Sequence, residues 1–495
     1  MALIRLIYTP GPSLTLSSLC PRPVLLEALG QLCELGFQTD LQHFAALQEE
    51  GAPSRQEILC ALPVAAMSVF YVETREDYEE ARRTGLTLSK HFPEMIQVLA
   101  GPYAVHFASS LLSDLSALDA IIFDEFSRTL CEGALFFLSD HPRPSERAML
   151  LKNQHTDKWW TRSQAFSPLA PFMAKQEKRN KFLQFYPLSF SRAPSQFYYH
   201  DTKRSSRKEK TSREIFEEIK WLHDCHGAVA FHLDAGSVSM AEVEDLAREL
   251  LSRNLLVLYS LGNVHEAFAG NTARLLLASG CRSIGFRIPT GSQRLLEDYY
   301  GLQISISALG NTLRLCRETG LFTALHLTGP CPFDDRHSIA ETKRFLEEYQ
   351  PTGVSLHAPA VVPDSLWFCQ SRHFSFAINY KKYQKELDPS RLPLRFSGQW
   401  NMRRLSFVQK VITACASRQS ILYNTDECEA LILRLLGIEG VGASARALDR
   451  LSHLLTQRDN AGLSELILKF NQRAAHVLAV DILATAGTGN TAAAR

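Results

Sequence analysis

Apolar positions along this chain fall in short runs separated by amphipathic stretches, and the spacing of the runs changes twice. Over residues 1–148 the segments Ala2–Tyr8, Phe37–Leu41, Ala65–Val72, Met95–Ala100 and Leu118–Asp124 read as strands, being short apolar blocks that end near turn signals. Pro23–Leu35, Glu76–Lys90, Phe107–Leu115 and Ser127–Leu138 carry apolar residues at helical spacing, and a polar linker precedes Ala65. The first of these helices places Leu25, Leu26, Leu29 and Leu32 on one side and stops at Gly36, a residue suited to a helix C-terminus. Five strands alternating with helices predict a doubly wound, Rossmann-like parallel sheet, whose ligands bind beyond the C-terminal ends of the strands. The loops there are Thr9–Pro12, Glu73–Arg75, Gly101–His106 and Asp124–Phe126.

From Phe182 the alternation resumes with a longer period. Phe182–Phe190, Ala228–Leu233, Leu255–Tyr259, Ser283–Ile288, Phe322–Leu327 and Gly353–Leu356 read as strands, with helices at Ser212–Cys225, Met240–Arg253, Asn271–Ser279, Ser305–Thr319 and Ser338–Tyr349. Six such units over residues 181–375 predict a partial (β/α)6 barrel of the TIM type, with chemistry on the loops after the strands. Residues 149–180, basic and carrying Trp159 and Trp160, read as a linker. Residues 376–486 read as a C-terminal helical region, with segments near 404–418, 425–437, 443–456 and 462–481, and the small-residue stretch 487–495 as a disordered tail.

Composition narrows the function. The 495 residues are 45% hydrophobic and 21% charged, with 53 Lys and Arg against 52 Asp and Glu, a net charge of +1. Such a balance gives no basic excess for nucleic-acid or acidic-membrane binding, and no apolar run reaches the roughly 20 residues of a membrane helix. A cytoplasmic protein binding neither nucleic acid nor membrane is expected. The cysteines in closest succession, Cys20 with Cys33 and Cys415 with Cys428, are thirteen residues apart. Zinc ribbons, thioredoxin motifs and local iron–sulfur loops need pairs two to four apart, so the cysteines read as reduced thiols packed as small hydrophobes, and no metal site is expected.

Four segments then carry a resemblance. LAGPYAVHF (99–107), DEFSRTL (124–130), ASGCRSIGFRIPTGSQRLLEDY (278–299) and HLTGPCPFDD (326–335), in this order and each beside an expected strand, resemble blocks of the cobalamin-dependent radical SAM enzymes. The resemblance spans roughly residues 1–365 and implies a cobalamin-binding domain followed by a partial TIM barrel that holds a 4Fe–4S cluster and S-adenosylmethionine. It implies cobalamin contacts from the loops of the first domain, with Gly101, Pro102, Tyr103 and Glu125 as candidates. Glycine at 101 would let the backbone approach a corrin closely.

The same alignment departs from the family at its defining site. Where the family has a cysteine triad after the first barrel strand, this chain reads SRAPSQFYYH, which puts Ala193, Phe197 and His200 at the three ligand positions. A methyl and a phenyl group cannot ligate iron, and one imidazole cannot hold a cubane that needs three protein ligands. A 4Fe–4S cluster is therefore not expected, and S-adenosylmethionine loses its anchor and electron source. Pro289 also stands where the family has a glutamate, whereas Asp234 in HLDAG is kept. Residues that could serve other chemistry at the barrel mouth are His200, Asp234, Arg287 and His326, with His357 closing the strand next to that of His326. The expectation is a degenerate homologue acting as a non-catalytic partner subunit of a cluster-bearing radical SAM enzyme in specialised metabolism. The alternative is a cluster-independent enzyme that reuses the barrel cavity for polar chemistry such as methyl transfer.

Overall fold

A computed structural model describes residues 2–9, 22–44, 55–111, 118–122, 126–138, 149–151, 186–190, 210–357 apart from 227, 229, 237, 256, 301 and 331–333, then 366–373, 378 and 402–431 apart from 430. The chain divides into two compact units, the first built on Met1–Lys181 and the second beginning at Phe182.

In the first unit, β1 (Leu3–Tyr8), α1 (Pro23–Glu34), β2 (Gln38–His43), α2 (Arg55–Ala61), β3 (Met67–Tyr71), α3 (Arg75–His91), β4 (Ile96–Ala100), α4 (Pro102–Leu111), β5 (Ala120–Ile122), α5 (Phe126–Leu138) and β6 (Met149–Leu151) follow in order. The sheet is parallel with order β2-β1-β3-β4-β5-β6. Two differences from the sequence reading stand out. Arg55–Ala61 forms a helix inside the expected polar linker, and Met149–Leu151 is a sixth strand where the second linker was expected to begin. A three-residue strand is too short to show a period of its own and forms because β5 offers an open edge.

The second unit runs β7 (Tyr186–Ser189), α6 (Ser212–His226), β8 (Ala230–Asp234), α7 (Met240–Ser252), β9 (Leu258–Val264), α8 (Gly270–Ala278), β10 (Cys281–Arg287), α9 (Gln293–Asp298), α10 (Ile306–Thr319), β11 (Phe322–Thr328), α11 (Arg336–Tyr349), β12 (Gly353–His357), α12 (Leu366–Cys369), α13 (Met402–Arg418) and β13 (Leu422–Tyr423). Its strands are parallel and in sequence order from β7 to β13, the arrangement of an open barrel. The expected six strands are thus seven. The region read as purely helical supplies β13, which pairs with β12 through Gly353–Leu422 and Val354–Tyr423. The remaining helical segments expected at 443–456 and 462–481, most of the one at 425–437, most of the linker and the tail lie outside the described residues.

Candidate active site

Parallel strands are usually apolar on both faces, because helices cover them. In the second unit four strands break that rule at every second position near their C-terminal ends: Phe231-His232-Leu233-Asp234, Tyr259-Ser260-Leu261-Gly262, Leu325-His326-Leu327-Thr328 and Val354-Ser355-Leu356-His357. The two-residue period puts the polar members of each strand on one face. Register then lines them up, His232 beside Ser260, Asp234 beside Gly262, Arg287 beside His326 and His326 beside Ser355.

The segment after β13 turns into this row. Asn424 adopts a left-handed conformation (φ 55°) and donates its backbone N–H to Val354 O at 2.7 Å. Asp426 and Glu429 then cap a helical turn reciprocally: Glu429 N donates to Asp426 Oδ1 at 2.7 Å and Asp426 N to Glu429 Oε2 at 3.2 Å. Between them, Glu427 enters a slot made by two glycines. A Cβ at Gly262 would lie 2.6 Å from Glu427 Oε1, and one at Gly285 2.3 Å from Oε2. Any side chain there would expel the carboxylate.

Glu427 is buried between two imidazoles. Its Oε2 lies 2.8 Å from His326 Nε2, and its Oε1 3.8 Å from His232 Nε2. Burial opposes ionisation, but the hydrogen bond from His326, with the fields of the two imidazoles, holds its carboxyl down to about 2. A carboxylate can only accept, so His326 carries its proton on Nε2, and Nδ1 is left to accept from Ser355 Oγ at 2.8 Å. Ser355 Oγ is in turn 3.0 Å from His357 Nε2, which then donates to it, and the rings of His326 and His357 stack with centroids 5.6 Å apart. His357 stands at the rim, where crowding by protein and then the charges of His326 and Arg287 push its imidazole down to about 4. The result is one chain of polar groups from the rim to a buried anion.

A second branch leaves Glu427 on the other side. His232 Nδ1 is 2.8 Å from Ser260 Oγ and 3.3 Å from Cys428 Sγ, and Ser260 Oγ is 3.2 Å from Cys428 Sγ. Among the described residues no three His, Cys, Asp or Glu side chains converge as metal ligands would.

Of the candidates from the sequence, His326 sits at the centre of this arrangement and His357 beside it. Asp234 and Arg287 flank it. Asp234 Oδ1 accepts from Gly236 N at 3.0 Å and from Asn263 Nδ2 at 2.8 Å, tying down the loop after β8, and Arg287 faces the half-buried His265 as well as His357. Burial and then Arg287 hold His265 down to about 4. His200 lies outside the described residues, as do Ala193, Phe197 and Glu125. Sequence reasoning passed over His232, Ser260, Glu427 and Cys428. The polar alternation of β8 and β9 signals the first two, whereas nothing local signals the last two.

In the first unit, Gly101, Pro102 and Tyr103 are buried in packing. Gly101 takes φ +102°, and a Cβ on it would lie 2.5 Å from Val72 O, so glycine is required by contact with the end of β3. Tyr103 stacks on Tyr78 with centroids 5.8 Å apart and meets Phe107 at 4.7 Å. Tyr8, His43, Tyr71 and Phe126 likewise fill the C-terminal ends of β1 to β3, and Glu73 accepts from Arg22 at 2.7 Å and from Tyr8 at 3.3 Å. These contacts place Gly101 and Tyr103 within the packing at this end of the sheet.

Neither a protein-family model nor a curated protein matches this sequence. Solved structures do. The radical S-adenosylmethionine methyltransferase TsrM from Kitasatospora setae, with cobalamin and a 4Fe–4S cluster bound, superimposes with a TM-score of 0.65 at 14% identity, over 95% of this chain and 100% of that one. The cobalamin-dependent S-adenosylmethionine radical enzyme OxsB, with aqua-cobalamin and S-adenosylmethionine bound, gives 0.54 at 10% identity over 99% of this chain and 81% of its own. The chain has the fold of the cobalamin-dependent radical SAM enzymes. The stretch that the resemblance aligns with the family's cysteine triad, with Ala193, Phe197 and His200, lies outside the described residues. The described residues of this radical SAM-type barrel converge on Glu427.

Proposed function

We propose that this protein is a cluster-independent enzyme that uses its barrel mouth for polar, proton-transferring chemistry on a small ligand. The observation that carries the reading is the continuous chain Glu427–His326–Ser355–His357 at the C-terminal ends of the barrel strands, where this fold class places its chemistry. In it Glu427 fixes the His326 tautomer, and His326 Nδ1 takes a proton through Ser355 from the rim. The imidazolium so formed is held by the carboxylate 2.8 Å away. The partner-subunit reading calls for an apolar docking face. The exposed large apolar side chains among the described residues are Val64, Val105, Leu135, Leu251 and Phe407, each on a different segment of the chain. No helix of the described residues is long and apolar enough to cross a membrane.

Two measurements test the reading. Anaerobic reconstitution with iron and sulfide should leave less than about one iron per chain, and about four irons with reductive cleavage of S-adenosylmethionine would overturn it. Imidazole nitrogen NMR should find His357 neutral down to about pH 4. Titration of His357 near its ordinary value, unaffected by Glu427→Gln, would break the proposed chain. A corrin band in the same preparation would add cobalamin to the first unit and leave this reading of the barrel intact.

A further inference from the structure

The second branch from Glu427 is not used by that proton chain. Cys428 is a partly exposed residue, and its sulfur touches two groups able to take its proton. Ser260 Oγ, 3.2 Å from Sγ and 2.8 Å from His232 Nδ1, sits where it can accept from the thiol and donate to the imidazole. His232 presents its other nitrogen to Glu427. Base, relay and carboxylate come from three separated parts of the chain, β8, β9 and the turn after β13, and meet around one sulfur.

We propose that Cys428 is a nucleophile, with Ser260 and His232 receiving its proton and Glu427 holding the imidazolium, and that it captures a carbon electrophile bearing a leaving group. The thiol proton passes to His232 Nδ1. The thiolate then forms a sulfur–carbon bond as the carbon–leaving-group bond breaks, and the leaving group departs with the electron pair. No oxidant or reductant enters. The thiolate is left facing two donors, Ser260 O–H and His232 Nδ1–H. The charged and titratable groups around it are His232 from β8, Asp426, Glu427 and Glu429 from its own turn, and His326 from β11 beyond Glu427. Burial and then Asp426 push Glu429 up to about 8, so it is mostly protonated at neutral pH. Burial and then Glu427 also raise Asp426. Glu427 is shared between the imidazoles of His326 and His232.

This inference rests on the barrel mouth being a reactive site, but it stands or falls on sulfur alkylation, whereas iron content and His357 titration decide the reading above. The test uses the full chain and iodoacetamide, with mass spectrometry comparing Cys428 against the exposed Cys369 of the same molecule. In general a thiol with a base and hydrogen-bond donors beside it alkylates faster below neutral pH, its larger thiolate fraction outweighing its lower intrinsic nucleophilicity. Cys428 should outpace Cys369 at pH 6. His232→Gln should remove that excess and shift the pH profile upward, and Ser260→Ala should reduce it while circular dichroism stays unchanged. Alkylation of Cys428 no faster than that of Cys369, or an excess that survives both substitutions in folded protein, would overturn the assignment.

Discussion

The two sheets of this molecule spend their polar residues in opposite ways. In the first sheet β1, β3 and β4 are apolar nearly throughout, and their few polar side chains are tied off locally. Ser68 Oγ bonds Met95 Sδ at 3.1 Å, and Gln97 Nε2 donates to Gly85 O and Ser89 Oγ. The C-terminal ends of these strands are closed by aromatic rings, among them Tyr8, Tyr71, Tyr103 and Phe126. In the second sheet the equivalent ends carry His232, Ser260, His326 and Ser355, and a carboxylate is inserted among them. One architecture thus uses the same end of a parallel sheet to pack in one unit and to concentrate proton-bearing groups in the other. What separates them is the residue type at every second position.

That contrast can be broken or sharpened by substitution. The largest effect belongs to Gly101→Ala. The new methyl would meet backbone, Val72 O, at 2.5 Å in a left-handed conformation, and neither can yield. A loss of about 3 kcal/mol in chemical unfolding of the first unit is expected, with iodoacetamide labelling of Cys428 unchanged. Labelling that falls in parallel would show that the two ends are not independent.

Glu427→Gln comes next. It keeps the shape in the glycine slot but removes the charge between two imidazoles, and about 2 kcal/mol should be lost at pH 7. The pH dependence has a definite sign. The folded carboxyl lies near 2 against an ordinary 4.5, so its stabilisation is complete above about pH 4.5 and is lost as pH falls from there toward 2. Acid unfolding of the wild type should steepen in that window and that of the variant should not. Coincident profiles would mean that Glu427 is not held as an ion.

The smallest effect is at a helix end in the first unit. Thr74 caps α3, its Oγ1 accepting from Asp77 N at 3.2 Å while Asp77 Oδ2 accepts from Thr74 N at 3.0 Å. Thr74→Ala should lower stability by about 1 kcal/mol in the same unfolding measurement, with no change at the barrel mouth.

Most strands and helices were legible in the sequence because each carries its own period. Met240–Ser252 buries Met240, Val243, Leu246, Ala247 and Leu250, a helical stripe that needs no tertiary information. The two added strands, Met149–Leu151 and Leu422–Tyr423, were not legible, since each exists only because a neighbouring edge is open. The candidate site divides in the same way. His326 and His357 could be picked out from their places at strand ends, and His232 and Ser260 lie in the same alternating pattern. Glu427 and Cys428 lie in a turn whose Asp426-x-x-Glu429 spacing announces a helix start and nothing more.

The sequence by itself therefore determined the two α/β units and the succession of most of their strands and helices along the chain, because periodicity is a property of short stretches. Only the tertiary structure decided that Gly262 and Gly285 leave a slot, that the turn after β13 fills it with Glu427, and that Cys428 arrives beside His232 and Ser260. Those facts depend on strands distant in the chain reaching common register across the barrel, and no local pattern encodes a contact between side chains nearly two hundred residues apart, as His232 and Cys428 are.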